Sequence, residues 1–198
     1  MKGQISKLIE KLDTPSDRTA GGIIEKLARM GNSVVPVLMI AAQDAGRPRI
    51  RKWSLQALGE IGDLRSAPLL IQALQDERMT VKLHAIRGLM RMKLKRATRH
   101  LRPMTADPSG GIRVNALQAL TELSAKAADP EFIRALLDEQ WYVRKQAAVA
   151  CGKLRIRSSY QVLQTLAKND QKKAVREAAI TSLTEISKLQ THSPSQSR

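Results

Sequence analysis

One pattern returns along this chain every 31 residues, with a single slip to 32. Its copies read IRKWSLQALGEIGD from Ile50, VKLHAIRGLMRMKL from Val81, IRVNALQALTELSA from Ile112, VRKQAAVACGKLRI from Val143 and VREAAITSLTEISK from Val175. Self-similarity at that period is the signature of stacked repeats, in which each copy is one supersecondary unit packed against its neighbours. No other feature restricts the fold as much. It predicts an all-α chain, with no role for a sheet.

Aligned by column, the copies explain why the pattern recurs. The first position is Ile50, Val81, Ile112, Val143 and Val175. The fifth is small (Ser54, Ala85, Ala116, Ala147, Ala179), and so is the eighth (Ala57, Gly88, Ala119, Ala150, Ser182). The ninth is Leu58, Leu89, Leu120, Cys151 and Leu183, and the twelfth is Ile61, Met92, Leu123, Leu154 and Ile186. Offsets of 0, 4, 7, 8 and 11 fall on one stripe of a 3.6-residue helix. Small columns admit a neighbouring helix and large ones fill the space between, so no unit buries its apolar face alone. Cys151 reads as one more buried core residue, and a lone cysteine forms no disulfide framework within the chain.

A second helix follows in each unit. APLLIQALQD from Ala67, TRHLRPMTAD from Thr98 and DPEFIRALLD from Asp129 align, with Leu70, Leu101, Phe132 and Leu163 in one core column. Pro68 and Pro130 sit where a first turn accepts proline. Pro103 falls inside its helix and is expected to kink or shorten it. The fifth unit's second helix, from about Ser158 to Lys168, reads as less regular. An eroded earlier unit fits from Thr19, where EKLARMGN is followed by VVPVLMIAAQD.

These residues resemble the HEAT-repeat family in its short, PBS-lyase HEAT-like form. The carrying features are the V/I-R/K start, the A-x-x-A-L-G-x-I-G helix (clearest as LQALGEIGD, Leu55 to Asp63) and the L-x-D before the next start. The resemblance implies a right-handed α-solenoid of about five to six helical hairpins, whose second helices line a concave face. Its span would be residues 1–190, with 1–18 an N-terminal cap and units starting near 19, 50, 81, 112, 143 and 175. Residues 191–198 are expected to be a disordered polar tail.

Charge is the functional clue. Lys and Arg number 34 against 18 Asp and Glu, a net +16 that folding does not require. Between Glu77 and Asp107 there are nine basic residues and no acid, and between Glu139 and Asp170 six and no acid. Part of the excess is structural. The second column is Arg51, Lys82, Arg113, Arg144 and Arg176, and Asp76, Asp107, Asp138 and Asp170 each precede one of these by six residues. In the HEAT pattern such pairs link consecutive units, so the column is set aside from the binding site.

The remaining cations fall in two places. Lys93, Lys95, Arg96, Arg155 and Arg157 lie in or beside the turn between the helices of a unit, with Arg65 at the equivalent turn of another. Arg99, Arg102 and Arg134 lie on second helices outside the core columns, which the resemblance places toward the concave face. Apart from Arg65, these eight residues form the expected partner-binding set, each free of a repeat-coded acid.

Chemistry finds little support. His84, in a variable column expected to face solvent, His100 and His192 have no partner at metal-ligand spacing, and no cofactor is expected. The alkylpurine DNA glycosylases of HEAT-like fold use tryptophans and a carboxylate. Here Trp53 and Trp141 read as edge packing, and Glu131 is a groove carboxylate without support. Bilin-lyase relatives share the repeat, but the repeat does not transmit the activity. The expectation is therefore a non-catalytic, cytoplasmic scaffold that docks an acidic protein surface. The alternative is a solenoid gripping the phosphate backbone of nucleic acid. Few aromatics (3%) argue against single-strand binding by base stacking. No apolar run is long enough to insert in a membrane, and oligomeric state is left open.

Overall fold

The computed structural model describes residues 2–188, and every regular element among them is helical. The tail 191–198 lies outside the described residues. The chain divides after His100 into two compact units. Unit 1 contains α1 (Lys2–Glu10), α2 (Asp17–Arg29), α3 (Val35–Ala41), α4 (Pro48–Ile61), α5 (Ala67–Ala73) and α6 (Met79–Arg91). The division falls within the four-residue α7 (Thr98–Leu101). Unit 2 contains α8 (Gly110–Glu122), α9 (Asp129–Ala135), α10 (Trp141–Leu154), α11 (Tyr160–Asn169) and α12 (Lys173–Ser187).

The repeat columns are the cores of these units. All members of the first and fifth columns are fully buried, from Ile50 and Ser54 through Val175 and Ala179. The stripe thins at its edge: in the twelfth column Leu123 and Ile186 are buried, whereas Ile61, Met92 and Leu154 are half-buried. The small columns work through backbone contact. A Cβ on Gly59 would lie 2.7 Å from the Cα of Gly88, so α4 and α6 touch without intervening side chains. In unit 2 a Cβ on Gly152 would meet Ser182 Oγ at 2.6 Å, and that hydroxyl donates to the Ala148 carbonyl at 2.8 Å. Cys151 is buried, and desolvation pushes its thiol up to about 12.

Each first helix is followed by a one-turn 3-10 segment, and these begin at Gly31, Leu64, Lys95, Lys126 and Arg157. The short second helices then start with proline in the first turn at α3, α5 and α9. Pro103 acts as its position demands: α7 stops at Leu101, and Arg102–Ala106 continues as a 3-10 turn. One expectation fails. The fifth second helix, α11, is the longest of its class among the described residues at 10 residues, with Leu163 and Leu166 both buried.

Candidate functional site

The second-column arginines form a ladder, but not with the pairing the spacing suggests. Arg113 meets Asp138 side-on, with Nε donating to Oδ2 at 2.7 Å and Nη2 to Oδ1 at 2.8 Å. Arg144 meets Asp170 in the same way, at 2.7 and 3.2 Å. The carboxylate therefore comes from 25 or 26 residues later. The aspartate six residues earlier contributes its backbone: Arg113 Nη1 donates to the carbonyls of Asp107 and Pro108, both at 3.0 Å. Arg144 takes Asp138 and Glu139 at 2.7 and 3.0 Å, and Arg176 takes Asp170 and Gln171 at 2.7 and 3.3 Å.

The cause is local. Each of these aspartates accepts the N–H two residues on, as Asp138 does from Gln140 at 2.9 Å and Asp170 from Lys172 at 2.9 Å. That closed turn presents carbonyls to the arginine of the next helix. The Arg144 guanidinium holds the Asp170 carboxyl below its ordinary range, and Asp138 raises Arg113 further. These charges are committed to the fold.

The first rung is incomplete. Asp44 precedes Arg51 by seven residues rather than six. It caps Gly46 and pairs with Arg47 at 2.6 Å instead. Arg51 Nη2 meets Asp76, but among the described residues its buried Nε has no acceptor and no carbonyl receives the group. Arg78 Nε reaches the same Asp76 at 3.2 Å. Burial raises the Asp76 carboxyl, yet the N–H of Arg78 and the two guanidinium groups hold it below its ordinary value. Arg51 thus differs from Arg113 and Arg144 within the column set aside. The one-residue-longer connector was the signal.

The turn edge carries the other cations. A left-handed residue ends the first helix at a fixed place in each repeat: Gly31 (φ 64°), Gly62 (75°), Lys93 (49°), Ser124 (52°) and Arg155 (55°). Glycine takes this conformation at little cost, while a side chain adds strain. In unit 1, Lys93, Lys95, Arg96 and Arg99 crowd this edge, all exposed. Among the described residues none of them is in an ion pair, and Arg99 Nε donates to His100 Nε2 at 2.9 Å. Arg91 and Arg65 differ, being paired with Glu60 at 3.5 Å and Asp63 at 2.6 Å.

Unit 2 holds the rest of the expected set. Arg134 on α9 and Arg155 and Arg157 in the turn after α10 are exposed, with no ion-pair partner among the described residues. Arg102 is a correction. Its Nη2 and Nε lie 2.9 and 3.0 Å from Glu131 Oε1, so its charge is spent on an inter-helix bridge. Thirty-one residues on, the corresponding positions are Ile133 and Val162, both apolar.

The aromatic residues are structural at one end of the chain. Trp53 is buried, its Nε1 donates to the Thr14 carbonyl at 3.2 Å, and Lys52 Nζ lies 3.5 Å above its ring. His84 is not solvent-facing: it is half-buried against Trp53 at 5.9 Å between ring centroids. Burial, then Lys52 and Arg87, lowers its pKa to about 4. Trp141 is 40% exposed and packs edge-on with Tyr142. Among the described residues no cluster of three or more His, Cys, Asp or Glu side chains is arranged to hold a metal. Nor is any helix there long and apolar enough to cross a membrane.

A family model described as HEAT repeats matches residues 5–89, 48–113 and 98–184. No curated protein sequence matches the chain. Among solved structures, an engineered protein of the Northeast Structural Genomics Consortium is similar at 16% identity and a TM-score of 0.64, covering 93% of this chain and 97% of its own. A designed armadillo repeat protein in complex with the peptide (KR)4 is similar at 15% identity and a TM-score of 0.63, over 91% and 98%. The complex of CpcE and CpcF of phycocyanin lyase from Nostoc sp. PCC7120 is similar at 20% identity and a TM-score of 0.60, over 92% and 76%. Likenesses at these identities are likenesses of fold.

Proposed function

The chain belongs to the HEAT-repeat family, and on that premise we propose that it is a cytoplasmic, non-catalytic scaffold whose basic turns and second helices dock an acidic protein partner. Folds of this kind offer rows of equivalent side chains to a ligand. The designed armadillo neighbour holds a peptide of lysine and arginine. A solenoid of net +16 suits the opposite sign.

The observation that carries the reading is the left-handed turn position. Glycine occupies it at Gly31 and Gly62, while Lys93 and Arg155 hold the same strained conformation with exposed cations that have no ion pair within 4 Å among the described residues. Strain kept at a place where glycine would serve the fold points to a use for the side chain. Lys95, Arg96 and Arg99 extend the cationic surface in unit 1, and Arg134 and Arg157 do so in unit 2. Arg102, neutralised by Glu131, contributes less than these.

The test is affinity capture from the native host, followed by titration of the captured protein against Lys93→Gly and Arg155→Gly. Both variants are expected to melt no lower than wild type and to bind several-fold more weakly. Wild-type affinity in both would remove the support that this position gives. A complex held by nucleic acid would instead be lost on nuclease treatment, with a log–log salt slope near 0.9 per phosphate contact, roughly the value for duplex DNA.

A further inference from the structure

Helix α12 breaks the burial pattern of its own columns. In the sixth column Leu55, Ile86, Leu117 and Ala148 are at most 1% exposed, whereas Ile180 is 54% exposed. In the ninth, Leu58, Leu89, Leu120 and Cys151 are fully buried and Leu183 is half-buried. Arg176, in the second column, precedes Ile180 by four residues and Leu183 by seven, so the three share one stripe of the helix. We propose that this stripe docks a short amphipathic helix of a partner protein, seated as a second helix would be, with an acidic residue at its C-terminal end held by Arg176. The inference goes beyond docking at the cationic turns and does not rest on it.

The other repeats define the occupant. Arg51 and Leu55 hold the columns of Arg176 and Ile180, and they line a cavity together with Leu69, Gln72 and Ala73 of their own hairpin's second helix, α5. Arg113 and Arg144 each take a carboxylate from just beyond their own second helices α9 and α11, from Asp138 and Asp170. Arg176 makes only the other half of that rung. Its Nη1 holds the carbonyls of Asp170 and Gln171, and among the described residues no carboxylate lies within 4 Å of it. Residues 186–198 contain no Asp or Glu. A single element, a second helix ending on an acid, would cover Ile180 and Leu183 and complete the rung.

Charge selects an acidic end for that helix. Glu177 and Glu185 pair with Lys173 and Lys188, and Asp170 is held side-on by Arg144. Arg176 and the exposed Lys172 are therefore left without an ion pair among the described residues. Arg176 is half-buried and open to a ligand, unlike the sealed Nε of Arg51. A carboxylate there would gain a two-bond, charge-assisted contact of the kind Arg113 makes. The apolar part asks for a helix face such as α9 offers through the buried Phe132 and Leu136. A nucleic acid has no such face for Ile180, and a second copy would set one net charge of +16 against another.

The test titrates the full chain, isotopically labelled, with a capped peptide copying residues 127–140, which carry α9 and Asp138, and follows it by NMR. The Ile180 methyl and Arg176 Nε–H signals are expected to shift. The same peptide with Asp138→Asn should bind at least about fivefold more weakly. In the chain, Arg176→Gln should make the two peptides bind alike. Ile180→Ser should weaken binding by about threefold or more, with an unchanged melting temperature since the side chain is largely exposed. Lys93→Gly should leave the titration unchanged, so this site and docking at the turns are read separately. Any of four results would overturn the proposal: no response of Ile180 at saturating peptide, equal binding of the Asn peptide to the wild-type chain, shifts centred on Arg113 from a peptide that displaces α9, or Ile180 shifts that follow protein concentration without peptide, the mark of a second copy.

Discussion

Arg113 and Asp138 stand 25 residues apart and meet side-on, through two hydrogen bonds of 2.7 and 2.8 Å. The third nitrogen of the same guanidinium holds two carbonyls of the turn before its own helix. One side chain thus ties the end of one repeat, the start of the next and that repeat's own end. With side chains 9% and 11% exposed, the pair is withdrawn from water.

Arg113→Ala is therefore expected to cost about 3–5 kcal/mol, because it leaves a desolvated carboxylate and two carbonyls without a donor. Arg51→Ala should cost visibly less, since its rung lacks the carbonyl bonds. Urea denaturation of the two variants checks the order. Equal losses would mean that the carbonyl bonds add nothing.

Replacing the left-handed side chains should stabilise the chain. Lys93→Gly, Ser124→Gly and Arg155→Gly each remove strain of about 1–2 kcal/mol and return part of it as unfolded-state entropy, for a net gain of about 0.5–1 kcal/mol. Gly62→Ala should move the other way, at φ 75°. Thermal melts of the four variants decide the matter.

Packing sets a third contrast. Gly59→Ala drives a Cβ to 2.7 Å from the Cα of Gly88 and should cost several kcal/mol, whereas Gly22, with nothing within 4 Å, should accept alanine with a gain of about 0.4–1 kcal/mol. Ala116→Leu and Ala147→Leu, both fully buried, should lose about 1–3 kcal/mol through overpacking. Circular dichroism of the wild type should show helix without appreciable sheet.

His84 gives stability a pH dependence. Its pKa falls from 6.5 to about 4 on folding, so below pH 6.5 the unfolded chain binds a proton that the native chain refuses. Stability from this group is intact above that pH and declines until about pH 4, by roughly 1–3 kcal/mol. The lowered carboxyls of Asp76 and Asp170 act only at more acidic pH, losing their contribution below the ordinary carboxylate value of 3.8. In His84→Gln the decline between pH 6.5 and 4 should vanish in denaturation measured across pH.

The fold was legible because its rule is one-dimensional. A column of Ile and Val and two columns of small residues sufficed to find the helices α4, α6, α8, α10 and α12, and Pro103 announced the break at Leu101. Pairing was harder, since a six-residue spacing says that two residues are near without saying which atoms meet. The aspartate side chain was already taken by its own turn, leaving the carbonyl for the next arginine. Arg102 looked free because its acid, Glu131, lies 29 residues away in a different column. His84 looked exposed because the fourth column varies, and its shelter is Trp53, a neighbour that only one repeat supplies.

The longer connector before Arg51 has a consequence for cooperativity. In a linear array, stability is the sum of what each module holds and what each junction adds. A junction short of its carbonyl bonds is a weak link in that chain of couplings, so α2 and α3 should open as a sub-global unit at lower free energy than α4 and α6. Native-state hydrogen exchange would then show amides of α2 and α3 losing protection early, while those around Leu58 and Leu89 wait for unfolding of unit 1 as a whole. Deleting Ala45 or Gly46 to restore the six-residue spacing should fuse the two steps into one.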